Sequence, residues 1–446
     1  MPNQAYPPGP TTWPPVRQLF ALRRDPLAFL QGLARDHGDL VYLHIAGRPI
    51  YLVNHPDLVH EVLVTRGDHF VKGRGLQGAK RLLGEGLLTS EGTYHLAQRR
   101  RIQPLFHRRQ IAAYAETMVQ QSTACAASWR SGAVIDMHEE MMGLTLAIVG
   151  ETLFGQDLSH QAAAVGEAMA VLTRNFRRLL SPFAPLTEWL PTAENRRLRQ
   201  SVAQLDHIVN QLVRNKTSTA SHDLVSLLLA ATGENNRDQS TLAAQLRDEV
   251  LTLLLAGHET TANALSFTWW LLSQHEEAAA KLHAEVDSVL NGRLPTLADL
   301  EQLPYTRMVF AEVLRLYPPA WVIGRQACTD VEIGGYIIPT GATVLASQWV
   351  MHHDARYYPE PDRFDPERWQ PVAMATRPKF AYFPFGAGSR ICIGEHFAWM
   401  EGILVLATLT QRWQASALDQ SPLALQAGIT VRPRDGLPMR LQARGQ

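Results

Sequence analysis

The sequence predicts a mainly α-helical protein with a small β region, and three observations predict it. Apolar residues recur at three- and four-residue spacing through residues 144–154, 202–213 and 246–272, the period of a helix with a buried face. Alternation takes over in residues 40–54, where Val41, Leu43 and Ile45 precede Gly47 and Tyr51, Leu52 and Val53 follow it, as in a hairpin. Strand character returns only late. Residues 331–345 are punctuated by Gly334-Gly335 and Pro339-Thr340-Gly341, and residues 429–441 turn around Asp435-Gly436. The hairpin and the late strands bracket a stretch, from residue 56 to about 290, that reads as helical. No linker composition and no internal repeat divides the chain, so residues 1–446 are expected to form one domain behind a Pro-rich segment over about residues 1–16.

Composition narrows the function. Hydrophobic residues make up 46% of the chain and charged residues 19%, enough for a sizeable core and too little charge for disorder. Forty-two basic residues balance forty-two acidic ones, which argues against nucleic acid as a partner. Only Cys125, Cys328 and Cys392 are present, too far apart for a CxxC site and too few for a disulfide framework, so a cytoplasmic location is expected. No signal-peptide pattern opens the chain. The most apolar runs, 251–256 and 402–409, fall well short of the roughly 18 to 20 residues a transmembrane anchor needs.

The strongest chemical signal is residues 383–394, FPFGAGSRICIG, running into a helical stretch over 396–413. A thiolate placed just before a helix N-terminus is stabilised by the dipole and by free N–H groups, and it is a strong ligand for haem iron. Gly386, Gly388 and Gly394 let the backbone approach a flat macrocycle, Arg390 supplies a cation for a carboxylate, and Phe385 can pack beside the sulfur. A lone cysteine is more often a buried small hydrophobe. Here the spacing of Phe385, Gly388, Arg390, Cys392 and Gly394 resembles the haem-binding loop of the cytochrome P-450 family at every defining position.

Three further segments match that family in order. Glu312 and Arg315 share a helical face at i, i+3, a pairing that elsewhere is often a solvated bridge. Residues 364–369, FDPERW, resemble the segment whose arginine, here Arg368, completes a Glu-Arg-Arg network. Residues 256–261, AGHETT, interrupt an apolar helix with poor helix formers and a carboxylate in need of a partner. They resemble the oxygen-binding kink of the family's distal helix, which implies Glu259 as the acid and Thr260 as the alcohol of a proton relay. The plainer reading has Thr260 bonded back to the preceding turn. Residues 91–106 resemble the WxxxR helix with His95 in place of Trp, and His95 and Arg99 are then implied as propionate contacts. Arg325 matches another propionate position, its alternative being a solvated loop charge. A zinc HExxH reading of His258-Glu259 fails at Ala262, and His352-His353 is read as a surface pair.

The resemblance spans residues 51–441 and implies a triangular, α-rich prism with a long distal helix over haem b, and Cys392 as the metal ligand. It implies a monooxygenase that inserts one oxygen atom from O2 into a lipophilic small molecule, of the fatty acid, terpenoid, steroid or polyketide class. No flavin or ferredoxin domain is recognised, so electrons from NAD(P)H are expected through a separate ferredoxin or flavodoxin with its reductase. Arg99 to Arg101, Arg108 and Arg109 offer that carrier a basic surface, although such a run is more often a solvated helix face. A monomer is expected. Residues 76–88, read as a loop, and residues 176–190, with Phe176, Phe183 and Trp189, lie where the family places its variable pocket walls. The other class of function compatible with such a loop is a haem protein that binds a ligand or gas, or a haem-thiolate isomerase or peroxygenase. The Glu259-Thr260 pair favours oxygenation.

Overall fold

The structure is a computed structural model that describes residues 6–10, 16–45, 47–179, 190–214, 225–226 and 239–445. Twelve helices of eight residues or more are present among the described residues: α1 Val16–Arg24, α2 Pro26–His37, α3 Arg74–Leu83, α4 Gly92–Ile102, α5 Arg108–Ala127, α6 Met137–Phe154, α7 Ala162–Leu179, α8 Ala193–Arg214, α9 Gln239–Gln274, α10 Glu276–Leu290, α11 Pro304–Leu316 and α12 Glu395–Thr410. Their ends follow local chemistry. Asp25 caps α2 by accepting the Ala28 N–H, with Pro26 at the first position, and Asp136 caps α6 by accepting the N–H groups of His138 and Glu139. Gly155 stops α6 in the left-handed conformation, at φ 65°.

The expected hairpin forms as β1 Leu40–Ile45 and β2 Arg48–Val53, antiparallel with Val41 opposite Leu52. The remaining strands are β3 Phe70–Lys72, β4 Val134–Asp136, β5 Ile323–Ala327, β6 Val331–Ile333, β7 Tyr336–Ile338, β8 Thr343–Ala346, β9 Trp413–Ala417, β10 Leu425–Ala427, β11 Val431–Pro433 and β12 Pro438–Ala443. One sheet has the order β1-β2-β8-β5-β3, a second β4-β12-β9, and β6-β7 and β10-β11 are separate pairs. The β region is therefore assembled from both ends of the chain, with β2 parallel to β8 and β12 between two strands distant in sequence.

The core lies among the helices. α9 packs against α6 and α12 against α5, through residues such as Val149, Leu254, Leu265, Leu404 and Leu409, each buried to within a few per cent. Full burial of a side chain of this size is worth about 1.5–3 kcal/mol, so these contacts fix the long helix that crosses the molecule.

Three readings are corrected here. β3 and β4 fall inside the stretch read as helical; each is three residues long and is held by a partner strand far away in sequence, which periodicity does not report. Of residues 76–88, read as a loop, residues 76–83 belong to helix α3. His352, read as half of a surface pair, is fully buried, and its Nε2 accepts the Phe383 N–H at 3.1 Å. Residues 180–189, with Phe183 and Trp189, and the Phe176 side chain lie outside the described residues. Among the described residues, no helix is long and apolar enough to cross a membrane.

Candidate active site

The cysteine loop is built by its glycines and by its own main chain. Gly386 and Gly388 sit at φ 73° and 70°, and a Cβ on Gly388 would collide with the carbonyl oxygen of Leu63. The Cys392 N–H donates to the Phe385 carbonyl at 2.9 Å, and Gly394 stands at the N-terminus of α12. Phe385 packs against Trp399, with ring centroids 6.0 Å apart. Cys392 is accessible from the site yet set deep in the protein. That depth pushes its thiol up to about 11, opposed by the Gly394 N–H and by the Arg99 guanidinium.

Arg99, on α4, donates from Nη1 to the Ile391 carbonyl at 2.8 Å, which brings α4 against the cysteine loop. Arg390 donates from Nη2 to Glu91 Oε2 at 2.9 Å and to the Phe70 carbonyl at 3.0 Å, while its buried Nε has no partner. Arg325 is 6% exposed and, among the described residues, its side chain donates only to its neighbour's carbonyl, Gly324, at 3.1 Å. Burial lowers it to about 10, helped by Arg390 and opposed by Glu91. His95 is buried and brought down to about 4 by burial and then by Lys72 and Arg390, so its imidazole is neutral at pH 7. Lys72, opposite Arg325 in the β3-β5 register, joins the same group. The sequence reading gave Lys72 and Glu91 no role: Lys72 stands in no recognised motif and only the strand pairing brings it to Arg325, while Glu91 opens the segment 91–106 without being singled out. Lys72, Arg325 and Arg390 thus gather around the Glu91 carboxylate, leaving positive charge that further anions would balance.

Helix α9 runs unbroken through residues 256–261. Thr260 Oγ1 donates to the Ala256 carbonyl at 2.9 Å, the back-bond weighed as its plainer reading. Glu259 is almost fully buried, and its Oε1 accepts from Thr430 Oγ1 at 2.6 Å. Burial pushes this carboxyl upward against the pull of Thr430 and Arg432. The acid and the alcohol therefore take different partners, and Thr430, between β10 and β11, is a residue no motif signalled.

Beneath the cysteine loop, Glu312 is fully buried. Its carboxylate accepts from Arg315 at 2.7 and 2.9 Å, from Trp369 Nε1 at 2.9 Å and from the Asp365 N–H at 3.1 Å, with Arg368 Nε 3.3 Å away as an ion pair. The solvated-bridge reading of Glu312 and Arg315 does not hold.

The Cytochrome P450 family model matches residues 7–436. Among curated proteins, cyclooctatin synthase of Streptomyces melanosporofaciens is 38% identical over 96% of this chain and 92% of its own length. Cyclooctat-9-en-7-ol 5-monooxygenase of the same organism is 39% identical over 91% and 88%. Pentalenene oxygenase of Streptomyces avermitilis is 35% identical over 98% and 97%. Among solved structures, a cytochrome P450DA heme domain superimposes with a TM-score of 0.86 at 27% identity, covering 99% of this chain and 98% of that one. With the family matched along nearly its whole length and the fold shared end to end, the chain belongs to the cytochrome P450 family of monooxygenases, whose cofactor is haem b.

Proposed function

We propose that this protein hydroxylates a terpenoid, using O2 and a haem b held by Cys392. The cation cluster carries the reading: Arg99, Arg325 and Arg390 stand beside the cysteine loop with Glu91 among them and the neutral His95 as a further N–H donor, and two haem propionates would supply the missing negative charge. The orphaned Arg390 Nε and the poorly satisfied Arg325 support the same fit. Phe385 and Gly394 would pack beside the sulfur and the macrocycle.

The haem supplies oxygen binding and activation. Thr260 and Glu259 move protons to the oxygen side, Thr260 by turning its hydroxyl away from the Ala256 carbonyl and Glu259 as an acid that burial makes hold its proton more tightly. The names of three relatives refer to terpenoid skeletons, cyclooctatin and its precursor and pentalenene, which supports that class over fatty acids. We assign electron supply to a separate ferredoxin or flavodoxin with its NAD(P)H-dependent reductase. Arg100, Arg108 and Arg109 are exposed near the cysteine loop and suit an acidic carrier. The reading takes residues 1–446 as one haem domain acting as a cytoplasmic monomer.

The test is a spectral binding screen of the ferric protein with cyclic diterpenes, sesquiterpenes and fatty acids, followed by turnover with surrogate redox partners. A Soret shift and hydroxylated product with a terpene support the proposal. A response confined to fatty acids overturns the substrate class.

A further inference from the structure

Residues 84–88 join α3 to α4, and their main chain is gripped from two sides by charged side chains. The Glu85 N–H donates to Asp248 Oδ2 at 2.7 Å, and the Leu87 N–H donates to Glu249 Oε2 at 2.9 Å. From the other side Lys72 Nζ donates to the Leu87 carbonyl at 2.8 Å and to the Ser90 carbonyl at 2.6 Å. Both polar groups of Leu87 are thus held by ionisable side chains from different elements, β3 and α9. Arg247 Nη2 adds a bond to the Leu82 carbonyl at 3.1 Å, fastening the end of α3 to the same helix. Gly84 and Gly86 permit the approach: a Cβ on Gly84 would collide with the Asp248 carboxylate, and one on Gly86 with the Thr252 hydroxyl.

These groups are costly to keep where they are. Glu249 and Lys72 are both buried, and one Glu249 oxygen has no hydrogen-bond partner. Burial pushes the Glu249 carboxyl up to about 7 and the Lys72 ammonium down to about 8. A surface loop needs no such anchors.

Helix geometry ties the grip to the active site. From Glu249 to Thr260 the helix turns through about 1,100°, within about 20° of three full turns, while rising about 16 Å. Glu249, Ala256 and Thr260 therefore lie on one stripe of α9, and residues 84–88 cover its N-terminal end. We propose that Glu249 and Lys72 are positioning residues that clamp the Leu87 peptide groups, fixing residues 84–88 as a wall that selects by size the ligands reaching the Thr260 face. The proposal rests on the reading of that face as the substrate side.

Two measurements on the holoprotein test it. Amide hydrogen exchange should find Leu87 protected in the wild type. In Glu249→Ala that amide should exchange at least about tenfold faster, the effect of losing a hydrogen bond to a charged group, with α12 unchanged. The second is spectral titration of the ferric protein with imidazole and with 4-phenylimidazole. Glu249→Ala should shift the ratio of their dissociation constants by about fivefold or more in favour of the bulkier ligand, while Glu249→Gln, which keeps an acceptor oxygen, stays near wild type.

Wild-type exchange at Leu87 as fast as at an exposed amide overturns the clamp. So does a folded Glu249→Ala protein with an unchanged ligand ratio. If that variant loses haem, Glu249→Asp, whose shorter side chain cannot reach the Leu87 N–H, takes its place and must shift the ratio in the same direction; an unchanged ratio overturns the proposal. No Soret response to imidazole in the wild type would sink the haem reading itself, and the exchange experiment would still decide the clamp.

Discussion

Replacing Glu312 with alanine tests whether the buried ionic network holds the cysteine loop. The wild-type carboxylate accepts four hydrogen bonds and pairs with Arg368, while Arg315 spends its remaining donors on the carbonyls of His352, Pro361 and Arg363 at 2.8, 2.7 and 3.1 Å. Glu312→Ala leaves the Arg315 guanidinium buried without its counter-charge, and strands the Trp369 indole N–H and the Asp365 amide. Breaking one side of a buried pair costs about 3–5 kcal/mol, which lowers the ratio of folded to unfolded protein by about two to four orders of magnitude. Glu312→Gln keeps acceptor capacity without the charge and should fall between. The assay is thermal unfolding by circular dichroism together with haem content after purification. Glu312→Ala should lose both midpoint and haem, in the order wild type, Gln, Ala. A Glu312→Ala protein with wild-type midpoint and haem content would refute the argument.

Cys392→His should abolish the red-shifted Soret band of the reduced carbon monoxide complex; a variant that keeps the wild-type band removes Cys392 as the ligand. Thr260→Ala should retain haem yet form less product and more peroxide per NAD(P)H with a well-coupled substrate, and unchanged coupling would return Thr260 to the structural back-bond seen on α9. Arg325→Ala should weaken haem retention, since few other donors in the cluster are free for a propionate; equal rates of haem transfer to apomyoglobin would contradict this. Glu401, fully buried on α12, has no well-formed hydrogen bond to either carboxyl oxygen, and burial pushes it up to about 8, with Thr261 opposing. The folded protein then holds a proton that the unfolded chain releases above about pH 4.5, so this residue costs stability increasingly up to about pH 8 and constantly beyond. Relative to wild type, Glu401→Gln should gain in thermal midpoint from about pH 5 to about pH 8, and parallel curves would show that Glu401 does not titrate this way.

What the sequence made legible was local. The hairpin at residues 40–54 is readable because one face is buried, so alternation survives; the cysteine loop is readable because each residue's role depends on its distance from Cys392 along the chain. The residues that escaped are brought in by tertiary pairing. Lys72 reaches Arg325 only through the β3-β5 register, Thr430 reaches Glu259 across a turn between two three-residue strands, and Glu249 finds Leu87 from 162 residues further along the chain. His352 was misread because two adjacent histidines amid Asp and Tyr look solvated, whereas the polar groups that surround His352 are carried by Arg315 and the Phe383 main chain. Glu312 and Arg315 were visible as a pair, but their burial is set by residues 361–369.

The bond from Phe383 to His352 has a bearing on how the protein is put together. His352 is also the residue whose carbonyl takes an Arg315 donor, and the neighbouring tyrosines pin the same strip of chain, Tyr358 to Ala381 at 3.0 Å and Tyr382 to Ala311 at 3.1 Å. The cysteine loop is thereby shaped by protein alone, like a mould finished before casting. The other half, carrying Lys72, Arg325 and Arg390, is a gathering of like charges that Glu91 offsets only in part. On the proposed haem reading, the loop around Cys392 would need no cofactor to take its shape, whereas the cationic half would tighten once propionates supplied its counterions.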